Sequence, residues 1–287
     1  MSRIATARLP VPKTHKLYIG GEFPRSESGR SYPLLRPGSK QPYAQLCLAS
    51  RKDLRAAVDA ARTAQPGWAA RSAYNRGQIL YRMAEMVEGR GDSWQALLRE
   101  GLGFSAAQAT RAFAGVVDAL VYYAGATDKY PQVIGAVNPV AGPHHNFTTP
   151  EPMGVVGLLF PDAPDPIAVA ARIAAVIAAG NSAIALLPGP SGGLVAEVGV
   201  AFATADLPGG VINLLSGDAA ELTPQFASHM EIQGLLFLRD EPVRRTELER
   251  AAADNMKRCI APAQPLLALE RVLDSVEYKT VWHPIGV

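Results

Sequence analysis

The sequence predicts an α/β fold in which a parallel sheet carries helices on both faces. Four continuous apolar runs in the second half of the chain support this: MGVVGLLF, SAIALL, GVINLL and GLLFL. Helical segments near residues 166–179, 192–205, 218–228 and 241–255 alternate with these runs. Such alternation is typical of parallel sheets whose strands are buried on both faces. We therefore expect a Rossmann-like, doubly wound sheet.

The chain up to about residue 130 is predicted to be a mainly helical region that follows an N-terminal hairpin. Short apolar runs and Gly/Pro/Ser turns predict the hairpin. A capping box at Ser50 and Asp53 opens a helix that we expect to stop at Pro66-Gly67. Apolar residues at helical spacing predict two more helices, from about Asn75 to Val87 and from Ser105 to about Ala126.

Two β-prone segments lie outside the main sheet. Residues 132–149 form a predicted projecting hairpin, with turn signals at Asn138-Pro139 and Gly142-Pro143. The stretch VEYKTVW, residues 276–282, has the alternation of a half-buried strand. The side chains expected on its buried face are Val276, Tyr278, Thr280 and Trp282.

Composition and charge exclude several classes of function. The 287 residues are 48% hydrophobic and carry 28 basic against 26 acidic side chains, so no basic field indicates a nucleic acid partner. The most apolar segment, IAVAARIAAVIAAG, is short and contains Arg172, which predicts a core helix rather than a membrane span. The first residues show no apolar core of a secretory signal, so a cytoplasmic location is expected. Cys47 and Cys259 stand far apart without metal-ligand spacing, so they are interpreted as reduced, buried thiols and no metal site is predicted.

The stretch GNSAIALLPGPSGG, residues 180–193, has the strand–turn–helix pattern that mounts cofactors or nucleophiles. Gly189 to Gly193 matches the G-x-S-x-G of hydrolases, with Ser191 as nucleophile, although only His229 and His283 follow it as candidate bases. The chain has no G-x-G-x-x-G for a dinucleotide. His144 and His145, in the predicted hairpin loop, are interpreted as solvated rather than metal-binding.

Across nearly its whole length the chain resembles the aldehyde dehydrogenase superfamily. The segments that carry the resemblance follow that family's order and spacing: LYIGGEF…SGRSYPLLRPGS, DLRAAVDAARTAQPGWAA…R, EPMGVVGLLFP, AAGNSAIALLP and DLPGGVINLLSGD. The stretch GGVINLLSGDAAELTPQFASHMEIQGLLFL is most similar to the degenerate second half of the family-16 enzymes. The resemblance implies a cofactor-binding type of domain over residues 16–131 and 150–268. It also implies an oligomerisation element formed by residues 132–149 and 275–287.

The resemblance also implies that the residues for chemistry are missing. Where the family has P-W-N, whose asparagine holds an oxyanion, this chain has Pro161-Asp162-Ala163. Where K-P-x-E would contact the ribose, it has Leu186-Leu187-Pro188-Gly189-Pro190. Where F-T-G-S would lie under the pyrophosphate, it has Phe237-Leu238-Arg239-Asp240-Glu241. We expect Asp240 and Glu241 to cap the following helix and to repel phosphate. The resulting vestigial pocket positions are Ala163, Leu186, Leu187, Pro190, Arg239 and Asp240.

No catalytic residue is expected either. The segment that would bear the general base falls near Pro262 and contains no carboxylate. A catalytic domain with its cysteine does not fit within the length of this sequence, and Cys259 lies before the place where that thiol would stand. GNSAIALLPGPSGG is thus interpreted as the wall of a former cofactor pocket in which leucine and proline replace the cofactor-binding side chains.

The sequence therefore predicts a non-catalytic subunit that binds no cofactor or metal. It would act as a structural or regulatory partner in a homo-oligomer, or in a hetero-oligomer with an active aldehyde dehydrogenase. The hairpin and the tail strand are expected to pair between chains, because an isolated strand needs partners for its backbone groups. Two alternatives stay open. The tail could instead fold onto its own hairpin in a monomer, and the chain could be a residual nucleotide or aldehyde binder, or a dehydrogenase completed by a partner subunit.

Overall fold

The structure is a computed structural model that describes residues 13–286. Its central element is a five-stranded parallel sheet with the strand order β10-β9-β6-β7-β8. These strands are β6 (Val155–Leu159), β7 (Ser182–Pro188), β8 (Ile212–Gly217), β9 (Gly234–Phe237) and β10 (Arg258–Ile260). The predicted doubly wound α/β fold is confirmed, and β10 is an edge strand that the sequence pattern did not reveal.

Helices cover both faces of this sheet. One layer contains α2 (Ala73–Glu88), α4 (Ala106–Ala126), α6 (Pro166–Ala178) and α7 (Leu194–Ala203). The opposite layer contains α1 (Arg51–Ala69), α8 (Ala219–Ser228) and α9 (Pro242–Ala253). Alternate residues of each strand face opposite layers: Val156 and Leu158 pack on the first, Val155 and Leu159 on the second. This explains why β6 is apolar at every position.

Helix α1 begins directly after its predicted capping residue, Ser50. The Ser50 hydroxyl accepts a hydrogen bond from the Asp53 amide and the Asp53 carboxylate accepts one from the Ser50 amide, which confirms the capping box. The predicted end at Pro66-Gly67 is wrong, because α1 continues to Ala69. Trp68 lies in this extra turn and is 1% exposed, with its indole N–H donating to the Ile177 carbonyl at 2.8 Å. Burial of this indole outweighs the helix-breaking preference of Pro66.

Smaller elements complete the body of the molecule. A three-stranded sheet in the order β1-β3-β2 is formed by β1 (Lys13–His15), β2 (Ser31–Leu35) and β3 (Pro42–Cys47), where β2 and β3 make the predicted hairpin. The short helices are α3 (Gly91–Ala96), a π-helical turn at Leu97–Gly101, α5 (Tyr130–Ile134), a 3₁₀ turn at Gly189–Gly193 and α10 (Glu270–Leu273). Within residues 13–286, no helix combines the length and apolarity needed to cross a membrane.

A third sheet, which is antiparallel and has the order β11-β5-β4, contains the two segments predicted outside the core. Its strands are β4 (Ala136–Asn138), β5 (His144–Pro152) and β11 (Val276–Pro284). Strand β11 pairs with β5 of the same chain at nine consecutive positions. The expectation that this pairing occurs between chains is therefore wrong for the backbone of β11, whose hydrogen-bonding partners lie in its own hairpin.

Candidate functional site

The loops that follow β6, β7 and β9 meet at the carboxyl edge of the central sheet. In doubly wound folds this edge holds the ligand, because loops of neighbouring strands diverge there and leave a crevice. The crevice is formed by residues 160–165 after β6, the 3₁₀ turn after β7 and residues 238–241 after β9. It is the place where the sequence predicts the vestigial pocket.

The Arg239 guanidinium lies across this crevice. It donates to the Asp162 carboxylate at 2.7 Å, to the Phe160 carbonyl at 3.0 Å and, through Nε, to the Glu241 carboxylate at 3.0 Å. Its side chain is 15% exposed. We call these three charged residues, Asp162, Arg239 and Glu241, the Arg239 bridge; it ties the loop after β6 to the loop after β9.

The Arg239 bridge is a permanently charged contact. Burial opposes the charge on Arg239, but its hydrogen bonds to Asp162 and Glu241 outweigh that cost and raise the pKa of the guanidinium. Two carboxylates therefore compensate one cation at the floor of the crevice. The bridge carries a formal net charge of −1, which disfavours an anion approaching the same atoms.

Two cavities meet at the Arg239 bridge. A cavity of about 370 Å³ lies on the side of α6, and another of about 420 Å³ lies on the side of α8, with Arg239 and Glu241 lining both. The α6 cavity also contains Ala163, Asp240 and Pro262 on its wall. The bridge thus divides the crevice into two compartments.

The predicted pocket positions separate into three that line the crevice and three that do not. Ala163, Arg239 and Asp240 meet in the α6 cavity. Leu186 and Leu187 are 0% and 1% exposed, because successive side chains of β7 point into opposite helical layers. Pro190 lies exposed on the 3₁₀ turn. At the end of β7 and in the turn that follows, the crevice is instead lined by Pro188 and Gly189 in the α8 cavity and by Ser191 in the α6 cavity.

Glu241 does not cap α9 as expected. It occupies the N-cap position without a side-chain cap hydrogen bond. Its carboxylate instead accepts from Nε and Nη2 of Arg239. The stronger attraction of a guanidinium explains the difference, since a charged donor outweighs a neutral backbone amide.

Ser191 does not have the surroundings of a hydrolase nucleophile. Its hydroxyl lies within hydrogen-bonding distance of three backbone carbonyls, those of Pro161 at 2.7 Å, Pro188 at 2.8 Å and Asp162 at 3.2 Å. Ser191 is 1% exposed, and no imidazole is among its hydrogen-bonding partners in the described part of the chain. The hydroxyl therefore secures the turn after β7 to the loop after β6.

Neither Cys47 nor Cys259 has the surroundings of a catalytic cysteine. Cys47 is buried in β3, whereas Cys259 is half-buried in β10, less than the sequence predicts. Burial raises the pKa of the Cys259 thiol, which reduces its thiolate fraction. Neither cysteine lines either of the two crevice cavities.

Arg172 is a residue of the crevice that the sequence pattern did not assign to it. It is 3% exposed in α6, lines the α6 cavity, and donates to the Ala263 carbonyl at 2.9 Å, with Asp274 at 3.6 Å. Arg172 thereby anchors residues 261–275, the segment between β10 and β11, against the sheet. The sequence does contain a signal for this anchoring role, because Arg172 is the single charged residue in the otherwise apolar segment IAVAARIAAVIAAG.

The predicted interface strand is largely exposed. Tyr278 and Trp282 are 54% and 60% exposed on β11, and Thr280 is also exposed, while Val276 is fully buried. On the same face, the Thr280 hydroxyl hydrogen-bonds that of Thr148 at 2.9 Å. Three of the four side chains predicted on the buried face of this strand thus lie exposed in the single chain.

The comparisons with known proteins agree with this geometry. The sequence profile described as "Aldehyde dehydrogenase family" matches residues 23–263. The chain belongs to the aldehyde dehydrogenase family. The predicted superfamily resemblance is therefore confirmed, while the specific similarity to the degenerate half of family 16 stays a prediction.

Curated relatives and solved structures align with most of this aldehyde dehydrogenase-like chain. It is 32% identical over 274 residues to aldehyde dehydrogenase, cytosolic 1 of Elephantulus edwardii, covering 90% of this chain and 53% of that protein. Retinal dehydrogenase 2 of Gallus gallus is 32% identical over 261 residues, covering 88% and 49%. HpcC of Thermus thermophilus superposes with a TM-score of 0.80 at 26% identity, over 86% of this chain and 47% of that one. The NAD⁺ complex of a Bacillus cereus aldehyde dehydrogenase gives 0.79 at 26%, over 86% and 50%. The chain spans about half the length of the relatives it matches.

Proposed function

We propose that this chain is a non-catalytic aldehyde dehydrogenase-like subunit, a structural or regulatory partner in an oligomer. The oligomer would contain further copies of this chain or an active aldehyde dehydrogenase paralogue. The observation that carries the proposal is the Arg239 bridge. It occupies the crevice with paired protein charges at the place where the family resemblance puts the cofactor.

The Arg239 bridge opposes cofactor binding in two ways. A dinucleotide extended along the carboxyl edge would have to break the contacts that join Arg239 to Asp162 and Glu241. Its pyrophosphate would then face the released carboxylates and Asp240 at the start of α9. A helix N-terminus attracts phosphate only where such negative charges are absent or compensated.

The positions that would carry out aldehyde oxidation support the same proposal. Ala163 offers no side-chain donor to an oxyanion, and residues 261–265, APAQP, offer no carboxylate as a base. Residues 261–275 lead directly from β10 to β11, so no further domain separates those two strands. Catalysis by a set of groups that act together is lost when several are missing.

The antiparallel sheet supports the partner role. Two of its apolar side chains on β11, Tyr278 and Trp282, and Val137 on β4 are all more than half exposed. A three-stranded sheet that leaves large apolar side chains in solvent gains stability by packing against another surface. We propose that this sheet is the oligomer interface, and that the oligomer is cytoplasmic like the Elephantulus relative, which is named cytosolic.

An activity assay tests the absence of catalysis. Incubated with NAD⁺ and a panel of short and aromatic aldehydes, the isolated chain should form no NADH above a blank without protein. The Cys47→Ala/Cys259→Ala double variant serves as the control for adventitious thiol chemistry. NADH formation that persists in the double variant would refute the proposal and favour a dehydrogenase.

Calorimetry tests the crevice directly. We expect weak or undetectable heat of binding when NAD⁺ is titrated into the full chain, because the Arg239 bridge fills the path of the pyrophosphate. Micromolar affinity would instead favour the alternative function, a residual nucleotide binder or a dehydrogenase completed by a partner.

Light scattering tests the interface. The full chain, alone or mixed with an active paralogue, should form an oligomer that is lost in a Tyr278→Lys/Trp282→Lys variant and after truncation behind Val276. Truncation there keeps Ser275, whose carbonyl accepts from the buried Asn181 amide at 2.7 Å. Tyr74→Lys, at a 68% exposed tyrosine on α2, is the matched control and should leave the oligomer intact. A full-length protein that is monomeric in both settings would exclude the partner role.

A further inference from the structure

The register of β5 and β11 places two histidines directly opposite each other. His145 of β5 faces His283 of β11 within the uninterrupted antiparallel ladder. Residues at such positions share one face of the sheet, with Cβ atoms about 4.5–5.5 Å apart. Two imidazoles on flexible χ angles can converge on one point from that separation.

Both imidazoles are free to bind a ligand. His145 and His283 are exposed, and neither ring nitrogen has a hydrogen-bonding partner within residues 13–286. The next pair on the same face, Phe147 and Val281, is half-buried and apolar. Beyond it, Lys279 forms an ion pair with Glu151 at 3.3 Å, so the nearest lysine of this face is compensated. No uncompensated cation of the two strands therefore opposes a metal ion at the histidines.

We propose that His145 and His283 form a two-imidazole site for a divalent transition metal such as Zn²⁺ or Ni²⁺. Neutral imidazole nitrogen is a good ligand for both ions. The described residues contain no cluster of three or more metal-ligating side chains. Water therefore completes the coordination sphere in a single chain, which makes the site open rather than a closed structural one.

Metal binding at this pair is coupled to the pairing of the tail. The two ligands belong to different strands, so the ion binds both only while β11 lies on β5. Binding to the paired form alone stabilises that form by mass action. The metal would thus hold β11 in the sheet that also contains Tyr278 and Trp282, whether or not the sheet serves as an interface.

His144 provides a matched control on the same strand. It is adjacent to His145 but points to the opposite face, where its ring makes an edge contact with the ring of Trp282 at 5.8 Å. His144 faces Pro284 across the ladder rather than a second histidine. Loss of one imidazole at His144 should therefore leave the proposed pair intact.

Two titrations of the full, untagged chain test the proposal. Calorimetry measures the binding of Zn²⁺. In a second titration, with Ni²⁺, the fluorescence of Trp282 is followed. Wild-type protein and His144→Gln should bind one ion per chain. His145→Gln and His283→Gln should each lose that binding and the associated quenching, with unchanged circular dichroism spectra. A Trp282→Phe variant should retain the heat of binding and lose the fluorescence response.

Three outcomes would overturn the proposal. They are no Zn²⁺ binding by the wild type, undiminished binding by the His145→Gln/His283→Gln double variant, and equal loss in His144→Gln. Because all three histidines lie on or near the surface, their replacement by glutamine is not expected to unfold the protein.

Discussion

Asp53 joins three parts of the N-terminal region through one carboxylate. It accepts from the Ser26 hydroxyl at 2.7 Å, from the Glu27 amide at 3.0 Å and from the Ser50 amide at 2.7 Å. The residue is 5% exposed, so these hydrogen bonds are shielded from water. Asp53 therefore stabilises the start of α1 and also holds the preceding loop against it.

At the residue scale, Asp53→Ala should lower the free energy of unfolding by about 3 kcal/mol. The estimate follows from losing buried hydrogen bonds to a charged acceptor, which contribute about 1.5–3 kcal/mol each but do not add fully. Asp59→Ala, at an exposed carboxylate on the same helix, is the control and should change stability by less than about 0.5 kcal/mol. Urea denaturation measures both; equal effects would show that the Asp53 network contributes nothing specific.

The sequence indicates which side chains stand in the crevice, but it does not indicate how they are arranged there. The replacement of a side-chain donor by Ala163 follows from the sequence alone. The Arg239 bridge does not, because Asp162 and Glu241 reach Arg239 from separate loops, and only the fold sets their distances. For Leu186 and Leu187, the place in a family motif predicted a position in the pocket. Their position in strand β7 directs both side chains into the core instead.

At the scale of elements, α2 and α4 approach each other closely at Gly77. A Cβ atom there would lie 2.8 Å from the Ala124 carbonyl oxygen and 2.6 Å from the Thr127 hydroxyl. The contact involves backbone, so relief requires the helices to separate. Gly77 therefore sets the distance between two helices of the first layer.

Gly77→Ala should destabilise the protein by about 2 kcal/mol, because the cost of overpacking exceeds the gain in helix propensity. Gly67→Ala is the matched control within a helix. A Cβ at Gly67 meets nothing within 4 Å, so this variant should gain up to about 1 kcal/mol. Thermal denaturation of both variants gives the comparison, and stabilisation by Gly77→Ala would contradict the described helix spacing.

Helices and strands with strong local signals were predictable, and those that depend on distant packing were not. Ser50 and Ser105 mark helix starts that the structure confirms. The end of α1 depends on Trp68 reaching the Ile177 carbonyl, more than a hundred residues away. Strand β10 is only three residues long and pairs along one edge with β9, so its apolar pattern is too short to recognise.

At the scale of the whole molecule, buried groups that titrate above pH 7 should change the free energy of unfolding. Some of these groups should raise it with increasing pH and others should lower it. Burial lowers the pKa of Lys257 to about 8, although its ammonium donates to the carbonyls of His229 and Ile232. Burial raises the pKa of Tyr18 and of Tyr123 to about 12. The folded protein thus releases a proton from Lys257 earlier than the unfolded chain, and retains tyrosine protons longer.

Lys257 should contribute a rise in the free energy of unfolding between about pH 8 and pH 10, which the raised pKa of the Cys259 thiol partly opposes, and the buried tyrosines should lower it at higher pH. In the lower window the unfolded chain binds more protons, because free lysine keeps its proton to about pH 10.4; above pH 10 the folded tyrosines bind more. Urea denaturation across this range tests the signs. Lys257→Met should flatten the rise, whereas Lys52→Met, at an exposed lysine, should leave it unchanged. If the free energy of unfolding still rises with pH in the Lys257→Met variant, another group causes the rise.

The pairing of β5 with β11 also affects how the protein folds during its synthesis. Thr148 and Thr280, which face each other in it, are 132 residues apart in sequence. The ribosome therefore exposes β5 long before β11, and the edge of β5 stays open while α6 to α9 fold. Until β11 is available, the same nine positions of β5 are open to the corresponding strand of another copy, which is the route to a domain-swapped dimer. The separation of the two strands in sequence, as well as the energies of their contacts, thus governs how long that edge of β5 waits for its partner.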